Sequence, residues 1–160
     1  MDRSKRLAVV RIRGKVHVRS DIADTLKLVG LNKINHCVVL DDRPAYRGMI
    51  SKINDYVAWG ELNEKTFEDL LIKRGRVVGN RPFTEEYIKK NSKSKDLKSF
   101  VKDFLNFKFE LSEVAGLKPV FRLKPPNKGF ERAGIKRPYS RGGVLGNRGD
   151  KINQLIERMI

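Results

Sequence analysis

A single cysteine, Cys37, rules out an intramolecular disulfide and a cysteine-based zinc site, and His17 and His36 lack the spacing of metal ligands. No stretch is apolar for long enough to cross a bilayer, and no basic amphipathic helix with exposed aromatics offers itself to a membrane surface. The opening residues, MDRSKRLAVVRIRG, set charges on both sides of a short apolar run, so neither a signal peptide nor an anchor is expected and the protein is expected in the cytosol. Internal repeats and low-complexity tracts are missing as well. Acid is the last shortage: 19 Asp and Glu face 35 Lys and Arg, leaving a net charge of +16 on 160 residues. That excess goes beyond what solubility requires and calls for a large polyanion, RNA or DNA, since an anionic membrane surface would need the features just excluded. At 39% hydrophobic residues the chain still has the means to build a core.

Residues 7–13 (LAVVRIR) alternate as a strand, with Ala8, Val10 and Ile12 on one face and Leu7, Val9, Arg11 and Arg13 on the other, so that one face reaches a core and the other carries cations. Ser20 or Asp21 then caps a helix whose Ile22, Leu26 and Val29 share a side and which stops at Gly30. INHCVVL at 34–40 predicts a second strand ending in the turn Asp41, Asp42, Arg43, Pro44. Tyr46, Met49, Ile50, Ile53 and Val57 recur at helical spacing, and YVAWG at 56–60 predicts a third strand, Val57 fitting both elements. Strand, helix, strand, helix, strand predicts a small sheet with both helices on one face and the other face left available.

Residues 61–116 are expected to be a helical elaboration packed on this unit, not a separate domain. One helix is capped by Thr66 with Asp69 completing a capping box and closes at Gly75, a second starts at Thr84, and a third opens at Ser94 or Asp96 after the polar connector NSKSK. From residue 117 the composition changes. After a short strand expected at 120–123, the run KPPNKGFERAGIKRPYSRGGVLGNRG holds too much Pro and Gly for regular structure, and Asp150 caps a final helix buried through Ile152, Leu155, Ile156 and Met159.

Between residues 117 and 149, Lys118, Arg122, Lys124, Lys128, Arg132, Lys136, Arg137, Arg141 and Arg148 are opposed only by Glu131. Glycines admit close approach to phosphates, the cations neutralise them, and Phe130 and Tyr139 offer faces to unpaired bases. A disordered basic tail has the same composition, but a helix beyond it anchors this one at both ends. Arg11, Arg13, Lys15 and Arg19 form a second candidate RNA-binding surface, whose plain alternative is a solvated strand face. Arg43, Tyr46, Arg47 and Lys52 surround the start of the second helix, where free backbone donors favour a phosphate; the plain alternative there is a solvated helix end. GNRPF (79–83) and GVLGNRG (143–149) lack the Lys-Ser/Thr pair of a nucleotide loop, and His36, Cys37, Asp41 and Asp42 lack a group placed to orient a base. No catalytic residue, metal, cofactor or small-molecule substrate is expected.

The stretch GLNKINHCVVLDDRPAYRGMISKINDYVAWGE, with its Pro-x-x-Arg-Gly-Met-Ile-x-Lys-Ile succession, resembles the large-subunit ribosomal protein L-thirty family, and the likeness extends over essentially the whole chain. Lacking the long basic N-terminal extension of the eukaryotic form, the sequence is similar to the archaeal type. The resemblance implies an α+β, ferredoxin-like βαβαβ core with an antiparallel sheet at residues 1–60, the elaboration at 61–116 and a basic arm with a terminal helix at 117–160. It further implies a structural role in the large ribosomal subunit, binding its RNA near the 5S RNA region beside neighbouring ribosomal proteins, with Arg43, Pro44, Tyr46, Arg47 and Gly48 facing RNA. Two rival functions fit the residues less well: a non-resident assembly factor or RNA chaperone, and an RNA-processing enzyme using the His36, Cys37, Asp41 and Asp42 group.

Overall fold

A computed structural model describes residues 5–91 and 96–160. Strands β1 (Arg6–Arg11), β2 (His36–Asp41) and β3 (Val57–Glu61) alternate with helices α1 (Ser20–Val29) and α2 (Pro44–Ile53), as the patterning predicts. Helices α3 (Glu64–Arg74), α4 (Glu85–Asn91) and α5 (Leu97–Leu105) follow, then β4 (Val120–Arg122), the two-residue β5 (Gly146–Asn147) and α6 (Ile152–Met159). The sheet order is β4-β2-β1-β3-β5. The three core strands pair antiparallel, as expected of the βαβαβ unit, and β4 adds antiparallel to β2; β5, from outside that unit, runs parallel to β3, so the complete sheet is mixed. Both edges are closed by the C-terminal quarter of the chain.

Because side chains alternate across a strand, β1 feeds two cores at once. Leu7 and Val9 join Val38 and Val57 against Leu26, Val29, Ile50 and Ile53 of α1 and α2. Ala8 and Val10, with Cys37, Ala58 and Phe121, face Phe67, Leu70 and Leu71 of α3, Phe100, Val101 and Phe104 of α5, and Ile152, Leu155, Ile156 and Met159 of α6. The second face, expected to remain available, is therefore covered, and it carries the larger core. Phe67 stacks on Phe104 at 4.6 Å between centroids, and Phe100 meets Phe109 at 4.8 Å, in the offset and tilted arrangements that aromatic quadrupoles favour.

Arg6 lies inside this packing, 2% exposed. Its guanidinium pairs with Asp41 and with Glu110 (3.0 Å), donates to the carbonyls of Phe104 and Phe109, and is sandwiched by the rings of Phe104 and Phe107. A buried cation so fully partnered is a fastening of the fold.

Several expected helix starts move. No side-chain bond caps α1, where Ser20 is already helical and Asp21 pairs with Arg19. Thr66 is buried within α3, which begins two residues before it, and the preceding Asn63 donates its N–H to the Asn153 side chain at 3.0 Å. At α6, a single 3-10 turn (Gly149–Lys151) precedes the helix, and Asp150 contributes its carbonyl to the Asn153 side chain in place of a carboxylate cap. Asp96 precedes α5 as expected; the alternative cap Ser94 and most of the NSKSK connector lie outside the described residues. Gly60 explains how closely α6 approaches: a Cβ there would run into the Gly149 carbonyl and the Ile152 side chain.

Candidate nucleic-acid interface

Residues 123–149, expected to be extended, are folded. Lys124 and Asn127 donate their N–H groups to the carbonyls of Met159 (2.9 Å) and Arg158 (2.8 Å), which ties the start of the arm to the end of α6. Val144 and Leu145 plug into the larger core, Pro126 is buried, and Phe130 is half-buried against that core. Pro138 and Leu145 bridge, and Arg137 accepts from Val144 N–H at 3.1 Å; Gly143 is required there, since a Cβ would strike the Arg137 carbonyl.

A charged clasp completes the tether. Glu131 accepts from Arg148 at 2.5 Å and Arg158 at 3.1 Å, while the Arg148 guanidinium lies 4.4 Å from the centre of the Tyr139 ring. Burial pushes the Glu131 carboxyl up, but the Arg148 hydrogen bond and the charges of Arg148 and Arg158 outweigh it and hold it below its ordinary value. Arg148, 7% exposed, is thus a tethering residue and leaves the set of RNA contacts, and Tyr139 is half-buried with one ring face taken.

The remaining arm cations point outward. Lys124, Lys128, Arg132, Lys136, Arg137 and Arg141 are exposed, and among the described residues none has an acidic partner. Arg122, on β4, is also exposed, and Lys118 is half-buried. The arm is rooted at Arg122 and Gly146, which pair beside His36 and Ala58, so both roots flank the same end of the sheet, the end where β1 finishes.

The other two predicted clusters fare differently. Arg11, expected on an outer strand face, is buried at 3% and spends its donors on the carbonyls of Leu31 (2.7 Å), Arg13 (2.9 Å) and Gly14 (3.0 Å), so it cannot reach a phosphate. The cause is the two-sided core: a central strand has no solvated face. Arg13 stacks over Tyr56 and donates to the Asp55 carbonyl, Arg19 pairs with Asp21, and Lys15 stays exposed and unpaired among the described residues. Around the start of α2, Arg43 pairs with Asp41 (2.6 Å) and Arg47 forms a two-pronged pair with Asp42, which raises the guanidinium and lowers the carboxyl. Lys52 reaches Asp21 at 3.8 Å, and Tyr46 is half-buried. Arg43 and Arg47 are at the opposite end of the sheet from the arm roots, beside Arg6 and Asp41, whereas Lys52, in the last turn of α2, lies towards the start of α1.

The residues of the rival catalytic reading do not assemble. Cys37 is enclosed in the core, where burial pushes its thiol up to about 12, and Asp41 and Asp42 are each held by an arginine. Among the described residues no group of His, Cys, Asp and Glu could hold a metal ion, and no helix is long and apolar enough to cross a membrane. Lys33, exposed beside Arg122 and His36, was missed; its place before β2 marks it only as a loop residue.

Fold and surface together define a class: a small ferredoxin-like α+β protein that devotes its C-terminal quarter to a tethered basic loop. Comparison with known proteins narrows the class to a family. The model for "Ribosomal protein L30p/L7e" matches residues 7–57, which spans β1 to the start of β3. The chain is 49% identical to the large ribosomal subunit protein uL30 of Methanopyrus kandleri, with 93% of this chain and 100% of that protein covered. It is 45% identical to the uL30 of Methanocella arvoryzae (95% and 98% covered) and 44% identical to that of Methanococcus maripaludis (96% and 98%). The chain belongs to this ribosomal protein family, whose members are structural and not enzymes.

Proposed function

We propose that the protein is a resident structural component of the large ribosomal subunit that binds large-subunit ribosomal RNA, chiefly through residues 117–149. One observation carries this: six exposed arm cations have no acid partner among the described residues, on a loop fastened at both ends. A loop ordered before binding loses little entropy when it meets RNA, and its charges release counterions from the phosphates. The folded unit sets position while the arm reads backbone shape more than base sequence. Residues 1–60 act as the core, 61–116 as the elaboration that covers its second face, and 117–160 as the RNA-binding part. Lys15, Arg122, Lys118, Tyr139 and the α2 group Arg43, Tyr46, Arg47 and Lys52 join the interface to lesser degrees. The family resemblance supports a location near the 5S RNA, which with neighbouring ribosomal proteins completes the set of partners.

Crosslinking in intact ribosomes, mapped to residue and nucleotide, tests the assignment. Crosslinks from Lys128, Lys136 and Lys124 to large-subunit RNA are expected, with the protein co-sedimenting at unit stoichiometry with finished large subunits. Presence only in immature particles would make it an assembly factor instead.

A further inference from the structure

The helical elaboration carries a surface that the basic arm does not use. After α3 the chain doubles back in a tight hairpin: Arg76 bridges to Pro82, the Val77 N–H donates to the Arg81 carbonyl at 3.0 Å, and Gly79 and Asn80 at the tip take left-handed backbone angles. The hairpin is pinned to the segment that leads into β4, since Val78 N–H reaches the Gly116 carbonyl and Lys118 N–H the Arg76 carbonyl, each at 2.9 Å. It therefore stands before the start of β4, whereas the arm is rooted at that strand's other end, Arg122.

A groove of about 630 Å³ runs between the hairpin and α4. The hairpin lines it with Val77, Val78, Arg81 and Pro82, and the entry and first turn of α4 line it with Thr84 and Tyr87. Its shape is fixed in the free protein. The Tyr87 hydroxyl donates to the Ala115 carbonyl, the ring leans on Phe83 at 6.1 Å between centroids, and Gly116 leaves room for that hydroxyl, because a Cβ there would collide with it. On this frame Val78 is 69% exposed, and no demand of the core explains it, since the neighbouring Val77 is the residue that packs inward. A lone exposed valine is ordinary. One held on an ordered tip, with Pro82 and Tyr87 continuing the apolar surface, marks a contact.

Charge decides what kind of contact. Glu85 and Glu86, between the lining residues Thr84 and Tyr87, and Glu113, two residues before Ala115, are exposed and enter no ion pair among the described residues. Arg81 is the one cation in the lining, and it also lacks an acid partner among the described residues. Three unopposed carboxylates repel phosphate and attract Lys and Arg, so they favour a basic protein over RNA. The Arg81 guanidinium and the Thr84 hydroxyl can donate to the carbonyls of an extended chain.

We propose that this groove docks an extended segment of a neighbouring large-subunit protein, apolar at its centre and basic at its flanks. The apolar side chain seats against Val78, Pro82 and Tyr87, the basic side chains face Glu85, Glu86 and Glu113, and backbone carbonyls accept from Arg81. The site rests on the residence in the large subunit proposed above.

The test uses the full-length protein assembled into intact large subunits, with a photoreactive benzoylphenylalanine at position 78 and, in a separate preparation, at position 128. Mass spectrometry of the first should show a crosslink to another protein of the subunit, on a peptide with an aliphatic or aromatic residue flanked by Lys or Arg. The second should crosslink to RNA. Reversing the rim with Glu85→Lys, Glu86→Lys and Glu113→Lys should lower the protein crosslink by roughly tenfold, with Tm and the crosslink from position 128 unchanged. If the reversal lowers Tm, the milder Glu85→Gln, Glu86→Gln, Glu113→Gln variant decides, with a drop of roughly threefold. A position-78 crosslink to RNA, to this chain itself or to a segment without basic residues would overturn the docking site alone, provided position 128 still reports RNA. So would no crosslink, or a yield indifferent to the rim charges. A protein that never enters large subunits would overturn the proposed function and this site with it.

Discussion

Arg43 and Arg47 stand at a helix start with their guanidinium groups committed to Asp41 and Asp42, whereas Lys128, Arg132, Lys136, Arg137 and Arg141 stand on a loop with nothing to neutralise them among the described residues. Both groups are exposed, and both look alike in composition. The difference lies in the acids: Asp41 and Asp42 stand beside Arg43 and Arg47 at the same sheet end, while Glu131, the one acid between residues 117 and 149, is used by Arg148 and Arg158. Positive charge therefore does two jobs in this molecule. In the core it fastens, through Arg6 and Arg11; on the arm it waits for a partner.

Mutagenesis can break this division. The largest effect is expected from the fivefold arm variant, Lys128, Arg132, Lys136, Arg137 and Arg141 to Gln: affinity for large-subunit RNA falls by roughly three orders of magnitude at physiological salt, and the log-log salt slope becomes shallower by about 4, with Tm unchanged. An equal loss from the paired α2 cations would abolish the contrast. Arg6→Met is the converse experiment, because it removes the buried guanidinium from Asp41 and Glu110 and leaves them only the exposed Arg43: stability to urea should fall by about 3–5 kcal/mol, with RNA affinity of the folded protein intact.

Glu131→Gln should have a smaller effect of both kinds. Releasing the clasp costs about 1.5–3 kcal/mol of local order, seen as faster amide exchange over residues 124–149, and RNA binding weakens severalfold because the loop must then be ordered on binding. Acid should mimic the substitution. Since the folded protein holds the Glu131 carboxyl below its ordinary value, the clasp is fully present above the ordinary carboxylate range and is lost as pH falls through the lowered value, so the arm should loosen only in strong acid. Smallest of all, Arg43→Gln with Arg47→Gln should change RNA affinity by less than about threefold, since exposed ion pairs carry little net energy and the charge they remove is already neutralised.

Much of this architecture was legible in the sequence because it rests on local periodicity. Alternation in LAVVRIR and the helical spacing of Ile22, Leu26 and Val29 are read directly, and so is the stripe of α6. What escaped depends on contacts between distant residues. Alternation in β1 cannot reveal that both faces are covered, so Arg11, on the face of Leu7 and Val9, passes for a surface cation until its bonds to the Leu31, Arg13 and Gly14 carbonyls are seen. Val144 and Leu145 sit between glycines and look like loop, yet they are core; β5 is too short to have a period. Arg148 and Glu131 are 17 residues apart, and only the folded arm shows that they belong together.

The closure of both sheet edges by β4 and β5 has a bearing on synthesis. Once Glu61 has left the ribosome, the three-stranded unit presents the open hydrogen-bonding rims of β2 and β3, and neither rim is sealed until nascent residues 120–122 and then 146–147 arrive. Between residues 61 and 120 the growing polypeptide thus has two sticky borders exposed to other unfinished chains, and one stays open until residue 146, which makes the final stretch its own guard against clumping.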